Sequence, residues 1–127
     1  KPVLTGPEVD RENILRQLRI NLSHALGPIF SDPCLAKIFA SEVDGVDNEA
    51  SENLVKFYTN LIDWLTESLE EGMELGIVRT CNAKISAVAI VGMLRGIIWA
   101  IASGDDTIDF NEVVEELTAN VAHGIIN

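Results

Sequence analysis

A chain of 127 residues, 47% hydrophobic and 23% charged, has enough apolar material for one globular domain and is neither disordered nor fibrous in composition. Its net charge of −11 repels phosphate backbones and its nine lysines and arginines are scattered, so these residues are poor binders of nucleic acid. The two cysteines, Cys34 and Cys81, have neither CxxC nor Cys/His spacing, which argues against a disulfide framework or a zinc site and for buried free thiols in a reducing cytoplasm.

Apolar residues recur at intervals of three and four rather than two, which predicts helices and no strand. The first helix is expected from about Pro7, well placed in an opening turn, to Leu26, with Gly27 and Pro28 as the stop signal. Its inner face is Ile14, Leu15, Leu18, Leu22, Ala25 and Leu26, with Gln17, Ile20 and His24 together beside that stripe. Asp32 followed by Pro33 is an N-cap and first-turn signature for a short second helix reaching about Val43, with Leu35, Ile38 and Phe39 apolar. Asp44 to Asp47 then reads as a turn.

The third helix, from about Asn48 to Leu75, is strongly amphipathic: Leu54, Tyr58, Leu61, Trp64 and Leu69 fall on one half of the wheel, Lys56, Asn60, Asp63, Glu67 and Glu70 on the other. Gly76 is its expected C-cap, and Asn82 the expected N-cap of a fourth helix ending at Gly104. That fourth helix is apolar on every side except for Arg95, and so needs more burial than one small domain supplies; a second copy of the chain is the natural partner. It has the length of a membrane span, but Arg95 at its middle and Ser86, Gly92 and Gly96 argue against one. The fifth helix starts at Asp109, with Glu112 three residues on in a capping box, and carries Val113, Val114, Leu117, Val121 and Ile125 as a single stripe.

Chemistry-bearing patterns are sparse. The runs Glu70, Glu71, Glu74 and Glu112, Glu115, Glu116 read as solvated faces, and a di-iron bundle would need Glu three residues before His24 and His123, where Asn21 and Asn120 stand. Asp105, Thr107, Asp109 and Glu116 have the spacing of a calcium loop, but Phe110 stands where the sharp turn requires glycine. The Asn21-Leu22-Ser23 sequon lies inside a predicted helix of a chain that opens with Lys1-Pro2 rather than a leader, and that opening reads as a fragment or a trimmed product. No serine or cysteine has the surroundings of a nucleophile, so catalysis, metal and cofactor are not expected.

Phe39, Phe57, Tyr58, Trp64 and Trp99 are core rings by default, yet rings with a few polar tips among helices also build small-molecule pockets. Arg95 must reach an acidic partner, a helix C-terminus, solvent or a ligand, because an unpaired buried charge is too costly. Gly92 and Gly96, one turn apart, each cost about 1 kcal/mol in a helix interior, and close approach by another helix is the usual compensation. The spacing therefore predicts that the fourth and fifth helices pair with their symmetry copies through Ile85, Val88, Gly92 and Gly96 on one and Val114, Leu117, Val121 and Ile125 on the other.

The ordered set of a long acidic-faced helix, a Glu74-Leu75-Gly76-Ile77-Val78 turn, an apolar helix with Gly92-Met93-Leu94-Arg95-Gly96 at its core, a Gly104-Asp105 break and a last amphipathic helix resembles the C-terminal half of a TetR-type transcriptional regulator. The likeness spans Leu54 to Ile126, and covers the first two helices only in length and order. It implies an all-α bundle of five helices, or six, forming one domain over residues 1–127 and dimerising through a four-helix interface. It further implies a cytoplasmic homodimer, typically of a repressor, that binds a small apolar or aromatic effector and touches DNA only through an absent N-terminal helix-turn-helix domain. By position and helical face, the resemblance nominates His24, Phe39, Phe57, Tyr58, Leu61 and Trp64, then Met93 and Trp99, as pocket residues, with Gln17 and Arg95 as polar anchors. The competing expectation, from another functional class, is a helical protein-interaction module without a small-molecule ligand.

Overall fold

The computed structural model describes residues 11–40 and 48–126. Among them, the elements are five α-helices: α1 (Arg11–Ser31), α2 (Pro33–Ala40), α3 (Asn48–Glu74), α4 (Ala83–Ala102) and α5 (Phe110–Ile125). The expected start at Pro7, the second helix's end at Val43 and the turn from Asp44 to Asp47 lie outside the described residues.

Local chemistry sets the remaining boundaries. Asp32 accepts from the backbone N–H of Cys34 at 3.0 Å and of Leu35 at 3.4 Å, Asn82 from that of Ile85 at 3.0 Å, and Asp109 from that of Glu112 at 3.1 Å. Each cap satisfies donors that the first helical turn leaves without an intrahelical partner. Gly76 and Gly104 follow α3 and α4 with φ of 77° and 86°, left-handed values at which a Cβ is strained. Replacing Asp109 with alanine should cost about 1 kcal/mol of stability, the usual worth of an N-cap, read as a lower urea midpoint at unchanged slope.

Two expectations need correction. The Gly27-Pro28 pair does not end α1, which continues to Ser31 with Pro28 inside it. An interior proline costs about 3 kcal/mol, and burial downstream offsets it: Ile29 is buried, and Phe30 sets its ring edge-on to Phe110 of α5 with centroids 5.2 Å apart. Ser31 also donates its hydroxyl to the Gly27 carbonyl at 3.0 Å. Second, Cys34 is exposed rather than buried; both cysteines are free.

The central helix is α4, which packs against α2 and α3 and only lightly against α5, while α5 packs against α1. Its buried residues, Ala83, Ala87, Val91, Leu94 and Ile98, form one stripe at helical spacing. On its other side Ile85 and Trp99 are 67% and 61% exposed, and Val88, Gly92 and Gly96 are exposed too. Within one chain, then, the expected all-round burial of α4 is only half achieved. It is the one described helix long and apolar enough to cross a membrane, a use that the cost of Arg95 in mid-span opposes.

The apolar stripe of α5 does not face outward. Val113, Val114, Leu117 and Val121 are buried in their own chain, as is Thr118, whose hydroxyl donates to the Val114 carbonyl at 2.7 Å. Leu22, Leu26 and Ile29 of α1 share a cluster with Val113, Val114 and Leu117. The outer rim of this pairing is closed by an ion pair between Arg19 and Glu115 at 2.9 Å.

The segment after α3 ties back to the end of α5. Val78 and Ile126 form an isolated antiparallel bridge, the Arg79 N–H donates to the Ile125 carbonyl at 2.8 Å, and the Arg79 guanidinium Nε donates to the Gly124 carbonyl at 2.6 Å. A cation placed on the last carbonyls of α5 also complements the negative end of its dipole. Val78 in turn lies on Gly72, where an added Cβ would come within 2.5 Å of a Val78 methyl, so only glycine admits this approach.

Candidate functional site

The cavity of this fold arises from a pair of helices that barely meet. α1 and α3 turn apolar faces toward the same space but share almost no direct contact, and α4, α5 and the 77–78 segment add to its lining. Its volume is about 260 Å³, and it is partly open to solvent. Its α1 wall is Ile14, Gln17, Leu18, Asn21, Leu22 and Ala25, a set at strict helical spacing. Its α3 wall repeats that period with Leu61, Trp64, Leu65, Ser68, Leu69 and Gly72, joined by Glu71 and Leu75. Ile90 and Leu94 of α4 and Val121 and Ile125 of α5 complete the lining together with Ile77, Val78 and Ile126.

Polar groups are few. Gln17 donates its amide to Asn21 Oδ1 at 3.0 Å along α1, and Ser68 donates its hydroxyl to the Trp64 carbonyl at 2.9 Å. Glu71, one of the glutamates expected to point into solvent, is half-buried and lines the cavity, unlike the exposed Glu70 and Glu74. No lysine, arginine or histidine is among the lining residues.

Of the ten residues that the sequence nominated for ligand binding, Gln17, Leu61 and Trp64 line this cavity. His24 and Phe57 are exposed, Trp99 lies on the outer side of α4, and Met93 is half-buried against the cluster around Leu26 instead. The side chain of Phe39 lies outside those described. Tyr58 is buried with Leu54 and Val91 in a separate cluster, its ring edge-on to Phe57 with centroids 5.4 Å apart. Arg95 answers the question of its own charge: it is exposed, and its guanidinium lies 4.8 Å from the centroid of the Tyr58 ring. Such a contact is worth about 0.5–1 kcal/mol at an exposed site. Burial pushes the Tyr58 phenol above its ordinary range, and the neighbouring Arg95 charge partly opposes that.

Helical periodicity already held the missed lining residues. Extending Gln17 by threes and fours gives Ile14, Asn21 and Ala25, and extending Leu61 and Trp64 gives Leu65, Ser68 and Gly72. What the sequence lacked was the choice of register, since Phe57 and Tyr58 belong to the same helix but to turns nearer its start.

The eight residues expected at a dimer interface divide in two. Ile85, Val88, Gly92 and Gly96 are exposed on one side of α4, whereas Val114, Leu117 and Val121 are buried and Ile125 is half-buried at the cavity. The eight do not make one surface, because α5 uses its stripe on α1 within the chain. Neither glycine of α4 has a neighbouring atom within 4 Å of where its Cβ would stand.

The spacing that suggested a calcium loop has another use. Asp105 accepts from both the Thr107 hydroxyl and, at 3.0 Å, the Thr107 N–H, which hold its carboxyl below the usual range, while Asp109 caps α5. Among the described residues no group of three or more His, Cys, Asp or Glu could hold a metal ion. Compared with known families, curated proteins and solved structures, the chain matches no family model, no curated protein and no solved structure.

Proposed function

We propose that this chain is the effector-binding and dimerising half of a TetR-type transcriptional regulator, a repressor whose operator is read by a helix-turn-helix outside these residues. The observation that carries this reading is the cavity of about 260 Å³ between α1 and α3. An aliphatic cavity of about 150 Å³ takes up benzene, so this one suits a ligand of about two fused rings. Concave, mainly apolar space with a few convergent polar groups is the usual form of a small-molecule site.

The exposed side of α4 supports the dimerising part. Gly92 and Gly96 let a second helix approach closely, and Ile85, Val88 and Trp99 flank them with apolar surface. The proposed interface therefore rests on α4 rather than on the stripe of α5. A ligand between α1 and α3 favours whichever spacing of these helices accommodates it, and it shifts DNA binding by no more than its differential affinity for the two arrangements.

A second reading is favoured by the same α4 face: a helical module that docks another protein through Trp99 and Ile85 and takes no ligand. Melting curves in the presence of naphthylmethanol separate the two. Binding to the folded chain alone at one hundred times the dissociation constant adds about 2.7 kcal/mol of stability. Trp64→Ala should weaken that binding at least about tenfold through lost ring contact, while Trp99→Ala, off the cavity, leaves it unchanged. Full affinity in Trp64→Ala would place the ligand elsewhere.

A further inference from the structure

Two amides on the α1 wall of the cavity stand one helical turn apart and use only part of their bonding capacity on each other. Gln17 Nε2 donates to Asn21 Oδ1 at 3.0 Å, and both side chains are half-buried. Each amide has one carbonyl oxygen and one NH2 group, so a single bond between the two leaves a carbonyl oxygen on Gln17 and an NH2 on Asn21. Neither group bonds to another of the described residues. Turning both amides over reverses the bond and leaves the same complement, one acceptor beside one donor. Around the pair, Leu18, Leu65, Leu94 and the Trp64 ring offer apolar surface to the body of a ligand. A carboxylate entering here gives up part of its hydration, finds no lysine, arginine or histidine on the wall, and sets an acceptor against the Gln17 oxygen. A carboxamide or lactam carries no charge to desolvate and has the matching edge, one C=O beside one N–H.

We infer that the cavity between α1 and α3 selects uncharged ligands in which a compact aromatic or alicyclic body ends in a carboxamide or lactam edge, the ligand N–H donating to Gln17 and its C=O accepting from Asn21. The inference rests on the cavity being a ligand site, and adds to that reading the chemical class of the ligand. Apolar packing against Leu18 and Leu94 cannot tell a carboxamide from a carboxylate of the same shape, whereas a donor and an acceptor held side by side can, because the wrong ligand leaves them unpaired. The net charge of −11 acts in the same direction at longer range, by lowering the local concentration of anions.

A matched series tests it with the ring system held constant: naphthamide, naphthoate, N,N-dimethylnaphthamide and methylnaphthalene, titrated calorimetrically into the intact chain at neutral pH. Naphthamide should bind at least about tenfold more tightly than naphthoate, the scale of an unmade hydrogen bond to a desolvated group. N,N-dimethylnaphthamide, uncharged but without an N–H, should fall roughly fivefold below naphthamide. Both comparisons use the unaltered protein and need no variant to fold. Gln17→Met and Asn21→Leu, which place good helix formers on α1, should each weaken naphthamide roughly fivefold, while methylnaphthalene binds as before and shows that the cavity is intact. If methylnaphthalene binds but naphthamide is not preferred over naphthoate and over its dimethyl derivative, or keeps its affinity in both variants, the amide selection is wrong and the cavity reading stands. If no member of the series binds, both are wrong.

Discussion

Replacing Leu26 with alanine should remove about 3 kcal/mol of stability, within the range seen when a fully buried leucine is truncated in a core that cannot collapse. Leu26 is 1% exposed and joins α1 to the residues of α4 and α5 that share its cluster, among them Leu94, Ile98 and Leu117. The loss combines the transfer of its side-chain carbons with the void left between three helices, each held by other contacts. A marginally stable domain has about 5–15 kcal/mol in total, so the variant should melt many degrees lower. The control is Ile38→Ala: Ile38 is 58% exposed on α2, and its truncation should cost less than about 0.5 kcal/mol. Chemical denaturation of both variants checks the pair, and equal losses would contradict the assigned core.

Gly92→Leu should act with opposite signs on the chain and on its assembly. Within one chain the change is favourable, because the space over Gly92 is open and leucine is better than glycine in a helix interior by close to 1 kcal/mol. In the proposed dimer, with two chains crossing at Gly92 and Gly96, the new side chain would keep the backbones apart and cost the assembly the packing of the flanking Ile85, Val88 and Trp99 surfaces. Overpacking of this kind costs about 1–3 kcal/mol, which weakens the dimer constant by roughly fivefold to 150-fold. Sedimentation over a concentration series, set beside the melting curve of the dilute variant, reads both signs. A variant that melts higher and dimerises as before would remove Gly92 from the interface, and an unaltered chain that stays monomeric at micromolar concentration would remove the interface itself.

The elements were legible because their signals are local. Asp32, Asn82 and Asp109 cap where side-chain oxygens can reach the first turn, and Gly76 and Gly104 stand where a positive φ is needed. The end of α1 was not legible, since the gain from Ile29 and Phe30 that offsets Pro28 depends on α5, some eighty residues further along the chain. The cavity was half legible: Gln17, Leu61 and Trp64 lie on the correct helix faces, yet which turns of those faces stand apart depends on how α1 leans on α5 and α3 on α4. Glu71 illustrates the limit of charge patterning. In the sequence it is one member of an acidic run, and only packing separates it from Glu70 and Glu74. The stripe of α5 was read correctly as apolar and assigned to the wrong neighbour, because a stripe encodes that it must be covered but not by what.

The clip between Val78 and Ile126 bears on how the cavity opens. Arg79 and Gly124 are 45 residues apart in sequence, so these bonds close a loop containing all of α4 and most of α5. That closure is cheaper than the one that brings α1 onto α5, where Arg19 meets Glu115 across 96 residues. Two walls of the cavity, Ile77 with Val78 and Ile125 with Ile126, belong to this clip. This seam is a short run of backbone hydrogen bonds at the frayable end of a helix rather than the core around Leu26, so it opens at less cost than the core. Fraying there widens a cavity that is already partly open to solvent, while the remainder of the molecule stays folded.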